Sequence, residues 1–439
     1  MKTFIALLLI YVSNMAAQGF DFDKKSKDKV VIPFRLINNL IFIPIEVNGV
    51  ELTFLLDTGV DETILFSLDD VTEVSFLMAE KIKLQGMGTE ESVEALKTVN
   101  NVLKIRGLTD KAHDIYMVLN EDFNFSSNIG IPVNGIIGYN FFRNHIVEIN
   151  YEREKIIVYK EMASQHDKIK SKFTPIDITI EGHKPYATAL LSISEPRFVA
   201  KLLVDTGSSD SVWLFTERDA QITVPENQID DFLGRGFSGE IHGKRARLRE
   251  LILNSYSLKN PIASFPDSVS INGLTMVKGR IGSLGGEIMK RFNVVFDYRN
   301  HKMYLRKNSN FNLPFSYNMS GMEVHHEGLD WVKETVEMKP ARIVASFDSN
   351  GDKMPNRFTY KFQLKPIYAI SEVRKDSPAD LCGLLKGDRL IAINNRSSYH
   401  YTLEEINTLF KSDEGREIEV QIERANKIMN FNFRLKSIL

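Results

Sequence analysis

The tripeptide Asp-Thr-Gly closes two apolar runs in this chain, Phe54-Leu55-Leu56-Asp57-Thr58-Gly59 and Leu202-Leu203-Val204-Asp205-Thr206-Gly207, 148 residues apart (205 − 57). A strand that carries a carboxylate into a core is costly, because a charge removed from water must be paired or neutralised. Two such strands in one chain suggest two carboxylates that meet. A second element follows each copy. Gly135-Ile136-Ile137-Gly138 leads to Phe141-Phe142 and the apolar runs 146–151 and 156–159; Gly282-Ser283-Leu284-Gly285 leads to Ile288-Met289 and the runs 293–298 and 303–305. These elements are offset by 147 residues (285 − 138). Two motifs in one order at nearly one offset mark a duplicated unit, spanning residues 30–160 and 173–307. A lone Asp-Thr-Gly would read as a strand-ending turn, since Asp and Gly are common turn residues. Two copies inside a repeat read as one paired site.

Each repeat is rich in short β-branched runs, such as 41–47, 53–56, 188–193 and 201–204, with turn pairs Asn48-Gly49 and Glu181-Gly182 between them. A mainly β fold is expected, with brief helices at 138–143 and 285–291. The polar, lysine-rich stretch 161–172 reads as a linker. At 439 residues, two or three domains are expected. The net charge of −2 lacks the basic surplus that a nucleic-acid partner calls for. Lys2, the apolar run 4–12 and the small residues Ala16-Ala17 read as an export signal, residues 1–17, so a periplasmic or extracellular location is expected. No later run is long and apolar enough to span a bilayer. Cys382 is the only cysteine, so no intrachain disulfide can form. It reads as a small buried hydrophobe.

The pattern changes after residue 305. Ser377-Pro378 reads as an N-cap followed by proline at the first helical position, Gly383 ends that helix, and Leu390 to Ile393 reads as a strand after the Gly387-Asp388 turn. Residues 317–439 are expected to form a separate α+β domain.

The doubled apolar-Asp-Thr-Gly with its later apolar-Gly partner resembles the aspartic proteases of the pepsin and retropepsin superfamily. Asp205-Thr206-Gly207-Ser208-Ser209 with Trp213 is especially similar to pepsin. The Ser-Pro-Ala, Gly-Leu, Gly-Asp and Ile-Asn elements of the C-terminal part resemble a PDZ domain. Together they resemble bacterial aspartyl proteases with a C-terminal PDZ domain. The resemblance implies a two-lobed acid-protease β-barrel fold with pseudo-two-fold symmetry, followed by a PDZ-like α+β domain. It implies a peptide hydrolase with no cofactor and no metal, acting on polypeptides as a monomer. Asp57 and Asp205 would be the catalytic pair. Thr58, Gly59, Thr206, Gly207 and Ser208 would support them, the threonine hydroxyls bonding across the lobe interface. Gly86 and Gly88, or Gly234 and Gly236, are candidate flap positions. Ile367, Tyr368, Ala369 and Ile370 are candidates for the PDZ peptide-binding strand.

Two carboxyls sharing one proton can activate a water and protonate a leaving amine, because like charges this close cannot both ionise. Which of the two holds the proton is not readable from sequence. Val60-Asp61-Glu62 replaces the small residues usual after the first Asp-Thr-Gly, and adds two carboxylates near the site. That substitution motivates one rival, an inactive secreted peptide-binding scaffold. A second rival has each lobe pairing with another chain. In the PDZ segment, Lys365-Pro366-Ile367-Tyr368 stands where a glycine loop is expected before Ile370, which predicts weak or no binding of free peptide C-termini. His325-His326 reads as a solvated pair, and Asp348 to Asp352 as a turn, because its glycine is misplaced for a calcium loop. The alternation in 244–249 reads as a strand with one wet face.

Overall fold

The Asn48-Gly49 turn sets the first register. Both residues have positive φ, 48° and 94°, the conformation a tight hairpin turn requires and that Asn-Gly tolerates best. It joins strand β1 (Leu40–Val47) to β2 (Val50–Leu56), paired from Val47↔Val50 to Phe42↔Leu55. The structure is a computed structural model. It describes residues 19–26, 28–66, 74–76, 79–84, 93–118, 125–160, 163–193, 195–236, 239–271, 274–336 and 359–439. The chain divides into two units, one holding residues 1–123, 133–315 and 439, the other 124–132 and 316–438. Both are built mainly of strands, as the sequence predicts.

In the first unit, β2 delivers Asp57 at its C-terminal end. Strand β3 (Thr63–Leu65) follows the loop. The chain then passes through helix α1 (Phe125–Ile129), which belongs to the second unit. It returns as β4 (Gly135–Ile137), which inserts parallel to β2 and antiparallel to β3. Helix α2 (Tyr139–Phe142), strand β5 (Ile146–Asn150) and strand β6 (Lys155–Tyr159) complete the repeat.

Helix α3 (Ala163–Lys172) occupies the stretch expected to be a linker. The sequence there is polar, yet Ile169 is buried with Phe173, Tyr159 and Tyr304. One apolar residue docked on a preformed cluster stabilises a turn sequence whose own pattern is too weak to reveal a helix.

The second repeat follows the same plan. Strand β7 (Lys184–Ser192) pairs with β8 (Phe198–Val204), which delivers Asp205. After the loop come β9 (Val212–Leu214) and the hairpin of β10 (Gln228–Gly236) and β11 (Gly239–Arg247). Strand β12 (Arg280–Leu284) runs parallel to β8 and antiparallel to β9. Helix α4 (Gly286–Met289), β13 (Phe292–Asp297) and β14 (Lys302–Lys307) close it. The two halves join where β5 pairs antiparallel with β13, Val147 opposite Phe296 and Ile149 opposite Val294. The segments that matched in sequence therefore meet each other across the pseudo-axis.

In the second unit, β15 (Met322–Val336) and β16 (Thr359–Val373) form a long antiparallel arm. Helix α5 (Pro378–Cys382) starts at Ser377, whose hydroxyl accepts from the Asp380 N–H, and ends at Gly383 with φ 96°. Strand β17 (Arg389–Ile393), helix α6 (Leu403–Phe410), β18 (Glu417–Arg424) and β19 (Lys427–Arg434) follow, and the sheet order is β15-β16-β17-β18-β19. Asp348 to Asp352 lies outside the described residues. Among those residues no helix is long and apolar enough to cross a membrane.

The buried contact of α3 yields a stability prediction. Ile169→Ala should destabilise the protein by about 2–5 kcal/mol, the usual cost of emptying an aliphatic core site. A urea unfolding midpoint checks it; an unchanged midpoint would show that α3 is not packed on the Tyr159–Tyr304 cluster.

Candidate active site

Two strands carry their carboxylates to one point because each Asp-Thr-Gly loop is tied to the other. The Thr206 hydroxyl accepts the Thr58 N–H at 3.0 Å and donates to the Leu56 carbonyl at 2.8 Å. The Thr58 hydroxyl accepts the Thr206 N–H at 3.0 Å and donates to the Val204 carbonyl at 2.6 Å. Both threonines are 1% exposed, so these four bonds satisfy groups that water cannot reach.

The glycines are required by the opposite loop. A Cβ on Gly207 would lie 2.1 Å from the Asp57 carboxyl carbon, and one on Gly59 would lie 2.9 Å from Asp205 Oδ1. Each glycine also donates its N–H to its own aspartate, Gly59 to Asp57 Oδ1 at 2.6 Å and Gly207 to Asp205 Oδ1 at 3.1 Å. Beneath the loops, a Cβ on Gly138 would meet the Val60 carbonyl at 2.2 Å, and one on Gly285 the Asp210 carbonyl at 2.2 Å. Ser208 acts through its main chain, its carbonyl accepting the Gly286 N–H at 2.6 Å.

The pair is electrostatically unequal. Burial, then the adjacent Asp205 charge, pushes the Asp57 carboxyl well above the usual carboxylate range; the Gly59 N–H and the Lys184 charge oppose this. Burial also raises Asp205, but the Arg280 guanidinium opposes it most strongly, ahead of a hydrogen bond from Asp57, the Gly207 N–H and Lys184. Burial thus raises both carboxyls, and the Arg280 guanidinium favours the ionised form of Asp205 alone. Arg280 stands at the start of β12, donating to the Gly282 carbonyl and the Ser283 hydroxyl. The matching position in the first repeat is Val133 (280 − 147), which is apolar and buried. Asp57 in turn contributes, after burial, to raising the phenol of buried Tyr298.

Asp61 is engaged outside the pair. Asp61 Oδ1 bonds His183 Nδ1 at 2.8 Å, and His183 stacks on Tyr139 with ring centroids 4.3 Å apart. The influences on Asp57 include neither Asp61 nor Glu62. Gly234 and Gly236 lie on β10, with Gly234 at a bulge and φ 140°. Arg245 on β11 anchors that hairpin, bonding Asp231 at 2.7 Å on β10 and Asp210 at 2.7 Å in the loop after Asp205. The Trp213 indole and the Ser264 hydroxyl donate to the other Asp210 oxygen. Gly86 and Gly88 lie outside the described residues.

The predicted PDZ strand needs correction. Tyr368 and Ala369 are paired with both β15 and β17, and Ile370, paired with β15, donates its N–H to Asp388 on the other side. Tyr368, Ala369 and Ile370 are also buried. A strand bonded on both edges cannot accept another. The terminal strand is β15, and the glycine turn lies before it, at Gly321 with φ 79°. Reading the turn immediately before Ile370 put the groove one strand too late.

Sequence reasoning missed Arg280, Lys184 and His183, which belong to no motif and act through position alone. It also missed a hydroxyl–imidazole–carboxylate chain in the first repeat. His113 bonds Thr63 Oγ1 at 2.6 Å and Asp110 Oδ2 at 2.7 Å, and Asp110 also accepts the Gly19 N–H. Thr63 and His113 are fully buried, so no substrate carbonyl can reach this hydroxyl and the chain is structural. Among the described residues, no group of three or more His, Cys, Asp or Glu is placed to hold a metal.

Loss of the threonine bonds has a defined cost. Thr206→Ala leaves the Thr58 N–H and the Leu56 carbonyl unpaired, at roughly 1–3 kcal/mol each, whereas Thr206→Ser retains both bonds. Thermal unfolding of the two variants should separate them clearly; equal stability would show that the cross-loop bonds contribute nothing.

Comparison with known proteins agrees with both parts of this geometry. Residues 43–141, which contain Asp57 and the Gly135–Gly138 element, match the family model described as aspartyl protease. Residues 370–424 match the model described as PDZ domain. No curated protein matches the chain. Residues 43–141 are thus similar to an aspartyl protease domain, and residues 370–424, later in the sequence, to a PDZ domain.

Proposed function

We propose that the protein is an endopeptidase that hydrolyses peptide bonds with water activated between Asp57 and Asp205. The observation that carries this reading is the reciprocal fit, in which each carboxyl fills the space above the other loop's glycine. A protonated Asp57 would donate to the scissile carbonyl oxygen while ionised Asp205 takes a proton from the attacking water. The proton taken up at Asp205 would then pass to the leaving amine while the diol's hydroxyl returns its proton to Asp57, and no covalent intermediate forms. Since one chain supplies both carboxyls, a monomer suffices. The β10–β11 hairpin, tied through Arg245 to the loop after Asp205, is the proposed flap over the bound peptide. The apolar run 4–12 behind Lys2 favours export to the periplasm or beyond, and N-terminal sequencing of the protein from its native compartment tests that assignment. The scaffold reading loses its motive, because Asp61 is engaged by His183.

Incubation with a diverse peptide mixture tests the reaction. Asp57→Asn and Asp205→Asn should each abolish cleavage while leaving thermal unfolding nearly unchanged. A hydroxyl-bearing transition-state mimic should inhibit, and chelators and thiol reagents should not. Continued cutting by both Asn variants would sink the mechanism.

The electrostatic asymmetry predicts a pH effect. Arg280 favours the ionised form of Asp205, so Arg280→Gln should raise that carboxyl's proton affinity. The base is ionised only above its own pKa, so the acidic limb of the kcat/KM profile should move to higher pH. A limb that stays in place or moves downward would show that Arg280 does not set the charge of Asp205.

A further inference from the structure

Helix α1 is cut out of the first repeat and completes the second unit. It packs against β15. Its last residue, Ile129, is 6% exposed, and the next, Gly130, places a would-be Cβ 3.0 Å from Cβ of Leu403, the first residue of α6. Helix α6 also packs against β15. The segment 125–130 therefore touches both walls of the cleft formed by this strand and helix. Strand β15 ends the sheet, with β16 on one side and no further strand among the described residues. A terminal strand beside a helix is the place where such a domain adds a peptide, and an uncovered edge invites unwanted pairing.

The end of the cleft is closed from within. The glycine turn before β15 presents the N–H groups of Ser320, Gly321 and Met322. The buried Asn318 amide oxygen accepts from Ser320 at 3.1 Å and from Gly321 at 3.2 Å. The Ser320 hydroxyl, itself donating to Asn318, accepts from Met322 at 3.2 Å. Donors that would hold a terminal carboxylate are already used.

We propose that the β15/α6 cleft is an internal-segment site whose resident ligand is residues 125–130 of the same chain, so that an external polypeptide binds there only by displacing α1. A competing peptide then sees only the fraction of molecules in which the segment is released. Asn134, five residues beyond Ile129, bonds Thr53 on β2 through its N–H and its amide oxygen, both at 2.8 Å. The proposal does not depend on hydrolysis, and neither do its readouts.

The full-length protein tests it in two ways. A fluorescent peptide of residues 123–130, Phe-Asn-Phe-Ser-Ser-Asn-Ile-Gly, should bind Ile129→Asp about tenfold or more tighter than the native chain, and amidating its C-terminus should not matter. Hydrogen exchange of β15 should rise in Ile129→Asp and in Gly130→Val, which crowds Leu403 without adding charge, while β2 and β8 keep their protection. The exchange result decides alone where peptide binding is too weak to read. Unchanged exchange at β15 in both variants would overturn the proposal, as would equal peptide binding by native and variant chains. Binding that disappears on amidation would overturn the closure by Asn318.

Discussion

Each carboxyl of the central pair occupies the volume that a side chain would need in the opposite loop, and that mutual exclusion organises the surrounding fold. Gly59 and Gly207 must lack Cβ atoms for the carboxyls to approach. With no side chains there to pack, the loops are held by the threonine bonds, which cross the seam in both directions. Those bonds need β2 and β8 to end at the same level, and the parallel insertion of β4 and β12 places them there. Gly138 and Gly285 then let the following helices tuck directly under the loops. The paired β5 and β13 fix the two halves from the other side. The site is thus a property of the joined repeats, and neither half contains it.

Much of this was legible because a carboxylate at the end of an apolar strand, repeated with its glycine partner, has few physical meanings. Asp57, Asp205, the two threonines and the buried glycines all announce themselves by type and spacing. Arg280 does not, since an arginine opening a strand has no local signature and its effect depends on which carboxyl lies nearby. Helix α3 was hidden for a related reason: Ile169 supplies its anchoring, and one apolar residue in a polar stretch shows no period. The buried Asp110–His113–Thr63 chain spans two strands, so only the fold brings its members together.

The second unit shows where local reading fails. Its helix cap, its Gly383 stop and the strand after Gly387 follow from residue type, because turns and caps are local chemistry. The identity of the sheet's terminal strand is not local. It depends on pairing order, and β16 and β15 are both apolar enough to serve. Covering that edge with residues from elsewhere in the chain could not have been anticipated from 125–130, whose one strongly apolar pair, Phe125 and Ile129, is too short a pattern to read.

The unequal surroundings of the two carboxyls bear on why a duplicated chain differs from a symmetric dimer. In a perfect two-fold assembly the proton has two equivalent homes, and only substrate binding can choose between them. Once the repeats are fused, each copy is free to drift. Here one copy holds Arg280 where the other holds Val133, and one loop continues Val60-Asp61-Glu62 where the other continues Ser208-Ser209-Asp210. The surroundings of the two carboxyls therefore differ in the free protein. The two sides of the pair are thus chemically distinct, a difference that a symmetric dimer of one repeat could not have.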